Sequence, residues 1–402
     1  MPDFDYARLR RFPDVEAPNL QAWDATDELL VTRALSADLP GEQIAVIGDE
    51  YGAITLALTD AGLAGIRVHQ DLVTGRRALA HNAQALGIAG FTEHELGSEL
   101  LAGARLVLLQ LPKALAELEE IADAVARWAS PDVELIAGGR VKHMTLTQNE
   151  VLGRAFAQVQ PQRAERKSRL IVAAQPLPVP ETPPFPISRT HDGLVLSAFG
   201  GAFAGTGLDI GTRVLLEQLP ALAADSRSQL RRNQPTTAPD APIGASEPEI
   251  SGVMNTAPLT VVDLGCGTGA LAATFAVQNP DATVIATDRS ASAVRSARET
   301  MRANGLEHRV RVTLDDAGSH LPAGGADIVL LNPPFHLGAS VHEGAGRRLI
   351  DAAARLLRPG GEVWTVFNSH LDHRRSLTRA VGPTEQVIRT PKFTVTRTIR
   401  HG

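Results

Sequence analysis

Asn332-Pro333-Pro334-Phe335 is a run of residue types suited to one kind of chemistry. It follows the apolar run Ile328-Val329-Leu330-Leu331, which reads as a strand and puts Asn332 at its carboxyl end. The Asn332 side-chain oxygen and the Pro333 backbone carbonyl offer two hydrogen-bond acceptors to one NH2 group. Such a pair can draw an amino nitrogen out of conjugation with a planar ring and free its lone pair for attack. The prolines fix φ and drive each preceding residue extended, so the carbonyl directions are set. Phe335 can stack on a flat acceptor, worth about 1–3 kcal/mol in nucleic-acid systems. Asn-Pro also marks ordinary turns, so the four residues need a second motif to carry weight.

That motif is Asp263-Leu264-Gly265-Cys266-Gly267-Thr268-Gly269. Gly265, Gly267 and Gly269 permit a tight strand-to-helix turn and close approach of a ligand to bare backbone. The helix that follows offers unpaired N–H donors to an anionic group. Dinucleotide enzymes use a similar loop. Two carboxylates shift the expectation to S-adenosylmethionine. Asp263 precedes the glycines, where it can hold a cationic amino group, and Asp288 ends the next strand, where it can accept both ribose hydroxyls. Of Asp315-Asp316 at the third strand end, Asp316 is placed on the adenine amino group, with a solvated turn as the alternative. Cys266 is read as a small turn residue, since no base is paired with it. Phe203, in a glycine-rich loop before the sheet, is expected as an apolar wall over the cofactor. A transfer from a sulfonium needs no strong base and no metal, and no metal is expected.

These residues must be held by alternating elements. Short β-branched runs at 259–264, 283–287, 310–314, 328–331 and 361–367 read as strands, with helices expected over 212–219, 270–277 and 292–303. The pattern predicts an α/β fold with a mostly parallel sheet and ligands at the carboxyl strand ends.

The first half repeats the layout. Ile44-Ala45-Val46-Ile47-Gly48-Asp49-Glu50-Tyr51-Gly52-Ala53 lines up with the glycine loop, and Gln110-Leu111-Pro112-Lys113 with the asparagine motif. Ser130-Pro131-Asp132 lines up with the stretch that starts at Arg358. Three anchors in one order imply an internal duplication. The first copy is degenerate: Val46 replaces Asp263, and Asp49-Glu50-Tyr51 replaces the small residues and is expected to block a cofactor. Asp71 persists at the second strand end. No cofactor is expected there. The division expected is 1–175 for the degenerate domain, 176–190 for an extended linker and 191–402 for the catalytic domain, with a mobile insertion at 221–258.

The chain has 402 residues, 44% of them hydrophobic, and a formal net charge of −6, so bulk charge does not imply a nucleic-acid partner. One cysteine excludes an internal disulfide and fits a reducing compartment. No apolar run is long enough for a membrane span, and no signal-peptide core stands at the N-terminus. Local basic clusters remain: Arg163, Arg166, Lys167 and Arg169, then Arg374, Arg375, Arg379, Arg389, Lys392, Arg397 and Arg400 near the end. Such groups suit phosphates.

With these motifs in place, the sequence resembles the bacterial ribosomal RNA guanine-N2 methyltransferases built of two tandem methyltransferase-like domains, the RlmG/RsmC family. Further markers are Asn19-Leu20-Gln21-Ala22-Trp23-Asp24, Leu111-Pro112-Lys113, Thr206-Gly207-Leu208-Asp209-Ile210-Gly211 and Lys392-Phe393. The resemblance covers nearly the whole chain, and the large-subunit (23S) members look closest. It implies a Rossmann-like second domain that uses S-adenosylmethionine and a first domain that has lost it. It also implies acceptor roles for Asn332, Pro333 and Phe335, cofactor roles for Gly265, Gly267 and Asp288, and ribosomal RNA as partner. A cytoplasmic monomer is expected. The segment 221–258 is longer than the usual connection. Alternatives are a small-subunit RNA enzyme, a protein glutamine or DNA adenine methyltransferase, and a non-catalytic RNA-binding factor. A flipped or unpaired base is the easier RNA target.

Overall fold

The computed structural model describes residues 4–219, 258–333, 340–371 and 373–402, with backbone alone for 340–345. Pro334 and Phe335, and residues 221–257 of the expected insertion, lie outside the described residues.

The first half forms β1 (Ile44–Ile47), β2 (Ile66–His69), β3 (Phe91–Glu93), β4 (Leu106–Gln110), β5 (Glu134–Arg140), β6 (Phe156–Pro161) and β7 (Ser168–Pro176). A hairpin, β8 (Ile187–His191) with β9 (Leu194–Ala198), follows. The second half forms β10 (Thr260–Leu264), β11 (Thr283–Asp288), β12 (Val310–Leu314), β13 (Ala326–Leu331), β14 (Leu357–Asn368), β15 (Thr384–Arg389) and β16 (Phe393–Ile399). The strand orders are β3-β2-β1-β4-β5-β7-β6 and β12-β11-β10-β13-β14-β16-β15, which are the same order repeated. In each sheet the first five strands pair parallel, and the last two pairings are antiparallel, so β7 and β16 alone run against the rest.

The central strands are largely apolar because both faces are covered. Val261, Ile328 and Leu330 pack into one core cluster, and Val262, Val329 and Leu331 into the other. Alternation sends neighbours to opposite faces, and each buried side chain contributes roughly 1.5–3 kcal/mol. The helix expected over 212–219 runs instead from Ile210 to Leu216, because Asp209 caps it. The expected linker 176–190 begins as β7 ends, and β8 starts inside it.

The hairpin is pinned to the helix Ala291–Ala303. Amides of Val195, Ser197 and Phe199 donate to Asn304 Oδ1, Thr300 Oγ1 and Ser296 Oγ at 3.0, 3.0 and 2.9 Å. Four helical residues advance about 6 Å. Two strand residues advance about 6.6–6.8 Å, so the two repeats run in step. This ladder fixes the start of the loop that leads to Asp209.

The two halves meet through corresponding loops. Val73 N–H donates to Arg289 O (2.8 Å), Ala291 N–H to Asp71 O (2.9 Å) and Ser292 N–H to Asp71 Oδ1 (2.7 Å), while Leu72 bridges Ser290. Glu120 of the first half accepts from Gly200 N–H and pairs with Arg295 of the second.

Candidate active site

In the sheet register Leu264 pairs with Leu331, so Gly265 and Asn332 follow side by side at the carboxyl ends of adjacent strands. Gly265, Gly267 and Gly269 have φ of +80°, +54° and +79°, the left-handed region that favours glycine. Their roles differ. A side-chain carbon on Gly265 or Gly267 would meet nothing within 4 Å, so the loop leaves bare backbone facing open space. One on Gly269 would lie 2.8 Å from Met301 Cε and 3.1 Å from Ala297 Cβ, so Gly269 seats the loop on the helix Ala291–Ala303.

Asp263 is 1% exposed and accepts from Ala272 N–H (3.0 Å), in the first turn of the helix Ala270–Gln278. Burial pushes its carboxyl up to about 7, opposed by that bond and helped by nearby Asp288. Sequence placed Asp263 on a ligand ammonium; the structure adds a capping bond beneath the loop. Asp288 Oδ2 accepts from Gly267 N–H (2.9 Å) and Oδ1 from Ser290 N–H (2.9 Å). Burial pushes its carboxyl above the ordinary value, and the two bonds oppose the shift. Burial, with Asp288 and Asp263 close by, pushes the Cys266 thiol well above its usual range. It stays protonated, in keeping with a turn-filling role.

Asp316 pairs with Arg348 at 3.2 Å and with Arg77 of the first half at 3.9 Å. Arg348 also reaches Asp14 and the Pro13 carbonyl. Sequence did not foresee these guanidinium partners. Phe203 is 59% exposed.

Asn332 is half-buried and Pro333 buried. The Asn332 amide nitrogen donates to Asp209 Oδ2 (2.8 Å) and Thr212 Oγ1 (2.9 Å). Asp209 is the N-cap of Ile210–Leu216 and accepts from Gly211 N–H (2.7 Å). Glycine suits position 211, where a side-chain carbon would sit 3.1 Å from the Phe393 ring and 3.2 Å from Asp209 Oδ1. Sequence reasoning missed Asp209 and Thr212 as site residues. The available signal was Asp209 as an N-cap before an apolar helix.

The open backbone over Gly265 and Gly267, the adjoining Asp288 carboxylate and the helix end fit S-adenosylmethionine. Bound there, it supplies an electrophilic methyl group. Among the described residues no cluster of His, Cys, Asp and Glu could hold a metal.

Two family models match the chain: the RLMG N-terminal domain over residues 2–177 and the methyltransferase small domain over 250–397. A "Ribosomal RNA large subunit methyltransferase G" of Streptomyces avermitilis is 30% identical, covering 98% of this chain and 96% of its own length. The protein of that name from Pseudomonas paraeruginosa is 33% identical, covering 96% of each. The solved Thermus ("T. Thermophilus") 16S rRNA N2 G1207 methyltransferase RsmC, in complex with AdoMet and guanosine, shares the fold with a TM-score of 0.72 at 20% identity. That likeness covers 98% of this chain and 99% of the other. The chain belongs to the ribosomal RNA large subunit methyltransferase G family.

Proposed function

We propose that the second half transfers a methyl group from S-adenosylmethionine to the N2 amine of a guanosine in ribosomal RNA, that of the large subunit (23S). One observation carries this: the Asn332 NH2 is tied down inside the protein, which leaves its Oδ1 for an incoming amine beside the glycine loop. Asn332 Oδ1 and the Pro333 carbonyl accept the two amine protons, and Phe335 stacks on the base. Gly265, Gly267 and Asp288 hold the donor, with Asp263 and Gly269 supporting the loop and Asp316 at its adenine side. Full-length relatives named for the large subunit favour 23S over 16S RNA.

The RNA lies along basic groups. Arg374, Arg375 and Arg379 share a groove of about 450 Å³ on the helix His373–Ala380, which follows the carboxyl end of β14. Not all of the basic tail serves RNA. Arg397 pairs with buried Glu362 at 2.6 Å, and Arg400 donates to the Leu357 carbonyl, so these two hold the sheet together. Among the described residues no helix is long and apolar enough to cross a membrane. A cytoplasmic monomer acting on protein-free or partly assembled RNA follows from this reading.

The test incubates the full chain with labelled S-adenosylmethionine and protein-free ribosomal RNA, then digests to nucleosides. N2-methylguanosine is expected, and Asn332→Ala is expected to lower its rate by at least about 100-fold. Label in protein or DNA, or an Asn332→Ala variant as fast as the parent, overturns the proposal.

A further inference from the structure

We infer that Asp209 and Thr212 are positioning residues for methyl transfer, acting by fixing which way the Asn332 amide faces. The inference rests on the proposed role of Asn332 and goes one shell beyond it.

An asparagine amide is a two-ended group, a double donor at one end and an acceptor at the other. Which end faces the acceptor base decides whether the residue can attract an amine at all. A flipped Asn332 would point its NH2 at the incoming NH2, which would keep only the Pro333 carbonyl as acceptor.

The surroundings favour one orientation. The Thr212 hydroxyl donates its single proton to Asp209 Oδ2 across 2.5 Å. Its oxygen is then left as an acceptor. Asp209 Oδ2 is an acceptor as well. Both stand at 2.8–2.9 Å from Asn332 Nδ2, so two acceptors face one NH2. Turning the amide would set its carbonyl oxygen against the Asp209 carboxylate oxygen, which has no proton to share, and the Thr212 proton could meet it only by leaving Asp209. The carboxylate also pulls positive charge to the amide nitrogen, which leaves Oδ1 the better acceptor.

The pair is itself held. Asp209 Oδ1 takes Gly211 N–H at 2.7 Å, and Gly211 packs against the Phe393 ring. The hairpin ladder on Ser296, Thr300 and Asn304 secures the chain upstream. The first half keeps a related contact, Gln110 Nε2 to Asp27, without the catalytic motif. A merely structural role must therefore be separated from a positioning one.

The full chain is tested with saturating S-adenosylmethionine and protein-free ribosomal RNA. Asp209→Ser retains a helix-capping hydroxyl but lacks the carboxylate. Thr212→Val loses the acceptor, and Thr212→Ser restores it. Asp209→Ser and Thr212→Val are expected to lower kcat by about 10- to 100-fold, the scale of a small misplacement of a catalytic group. Donor affinity by calorimetry and the thermal midpoint should stay near those of the parent, and Thr212→Ser should recover most of the rate. Unchanged kcat in Asp209→Ser, or a loss of donor binding and midpoint that matches the loss of rate, overturns the inference. If the parent itself methylates no RNA, the reaction assignment fails, and the side-chain amide resonances of Asn332 decide the positioning claim. Their hydrogens should exchange slowly in the parent and faster in both variants; equal exchange in all three overturns it.

Discussion

Thr55 and Ala272 occupy the same place in the two halves, the first turn of the helix after the first strand, and in both a carboxylate meets the backbone N–H. In the first half it is Asp49, 2.7 Å away and lifted up into the loop. In the second half it is Asp263, 3.0 Å away and set below the loop in β10. The helix end needs one acceptor in either case. What differs is where the charge stands. With Asp263 beneath, the loop above is bare glycine. With Asp49 in the loop, a side-chain carboxyl stands at the helix end, where a ligand carboxylate would have to approach.

The sequence led to an expectation that Asp49-Glu50-Tyr51 blocks close approach of a cofactor in the first half and repels its carboxylate. Tyr51 is tucked away, its ring under the Arg11 guanidinium at 4.7 Å and its hydroxyl on Asp14. A cavity of about 630 Å³ remains at the strand ends, and among its walls are Tyr51 itself and the carboxyl groups of Asp27, Asp49, Glu50 and Glu117. Burial pushes Asp27 up to about 8 and Glu117 to about 7. The first half lacks the glycine loop but keeps a hollow at the strand ends, with carboxyl groups in its wall.

Copying one half onto the other should therefore have the largest effect. Gly267→Glu installs the residue of the first loop at a φ of +54°, over the open backbone. Calorimetry is expected to show donor affinity down by about 100-fold or more, from backbone strain and a side chain standing where the donor lies. Retained affinity would break the comparison.

The two strand-end acids sharpen it next. Asp288→Asn should weaken donor binding by about 10- to 100-fold, the scale of a hydrogen bond involving a charged group. Asp71 looks like its worn counterpart, but its carboxylate accepts from Ser292 N–H across the interface. Asp71→Ala should cost about 1 kcal/mol of stability, as a helix cap does. Its donor affinity should change far less than that of Asp288→Asn. Equal losses in the two variants would mean that Asp71 still serves the cofactor.

These contrasts show which parts were legible in the sequence. The parallel strands could be read because the central ones are largely apolar and end at glycines or acids. The antiparallel pair β15 and β16 could not, since β15 is mostly exposed at the sheet edge and shows no period of two. Asp288 could be read from its place after a strand. Asp209 could not, since its partner Asn332 lies 123 residues away and local pattern reports only the cap. The persistence of Asp71 looked like a relic until its partner appeared in the other half. Arg397 looked like a surface cation because its partner, Glu362, is set by strand pairing.

The smallest effect expected concerns pH. Asp27 titrates near 8 in the folded chain, against an ordinary value of 3.8, mainly because it is buried, with Asp49 adding to the shift. Between those values the folded chain holds a proton that the unfolded chain has released, so unfolding sheds a proton and stability falls as pH rises. The loss is complete near the folded value and flat above it. Asn cannot titrate, so Asp27→Asn removes this slope whatever it does to stability overall. Thermal midpoints taken between about pH 6 and pH 9 should fall by a few degrees more in the parent than in the variant. Parallel curves would mean that Asp27 is already ionised when folded, and the hollow would then hold more negative charge than its burial allows. The same scan on Asp49→Asn should separate the charge of the loop from that of the wall, since Asp49 alone also holds the Thr55 amide.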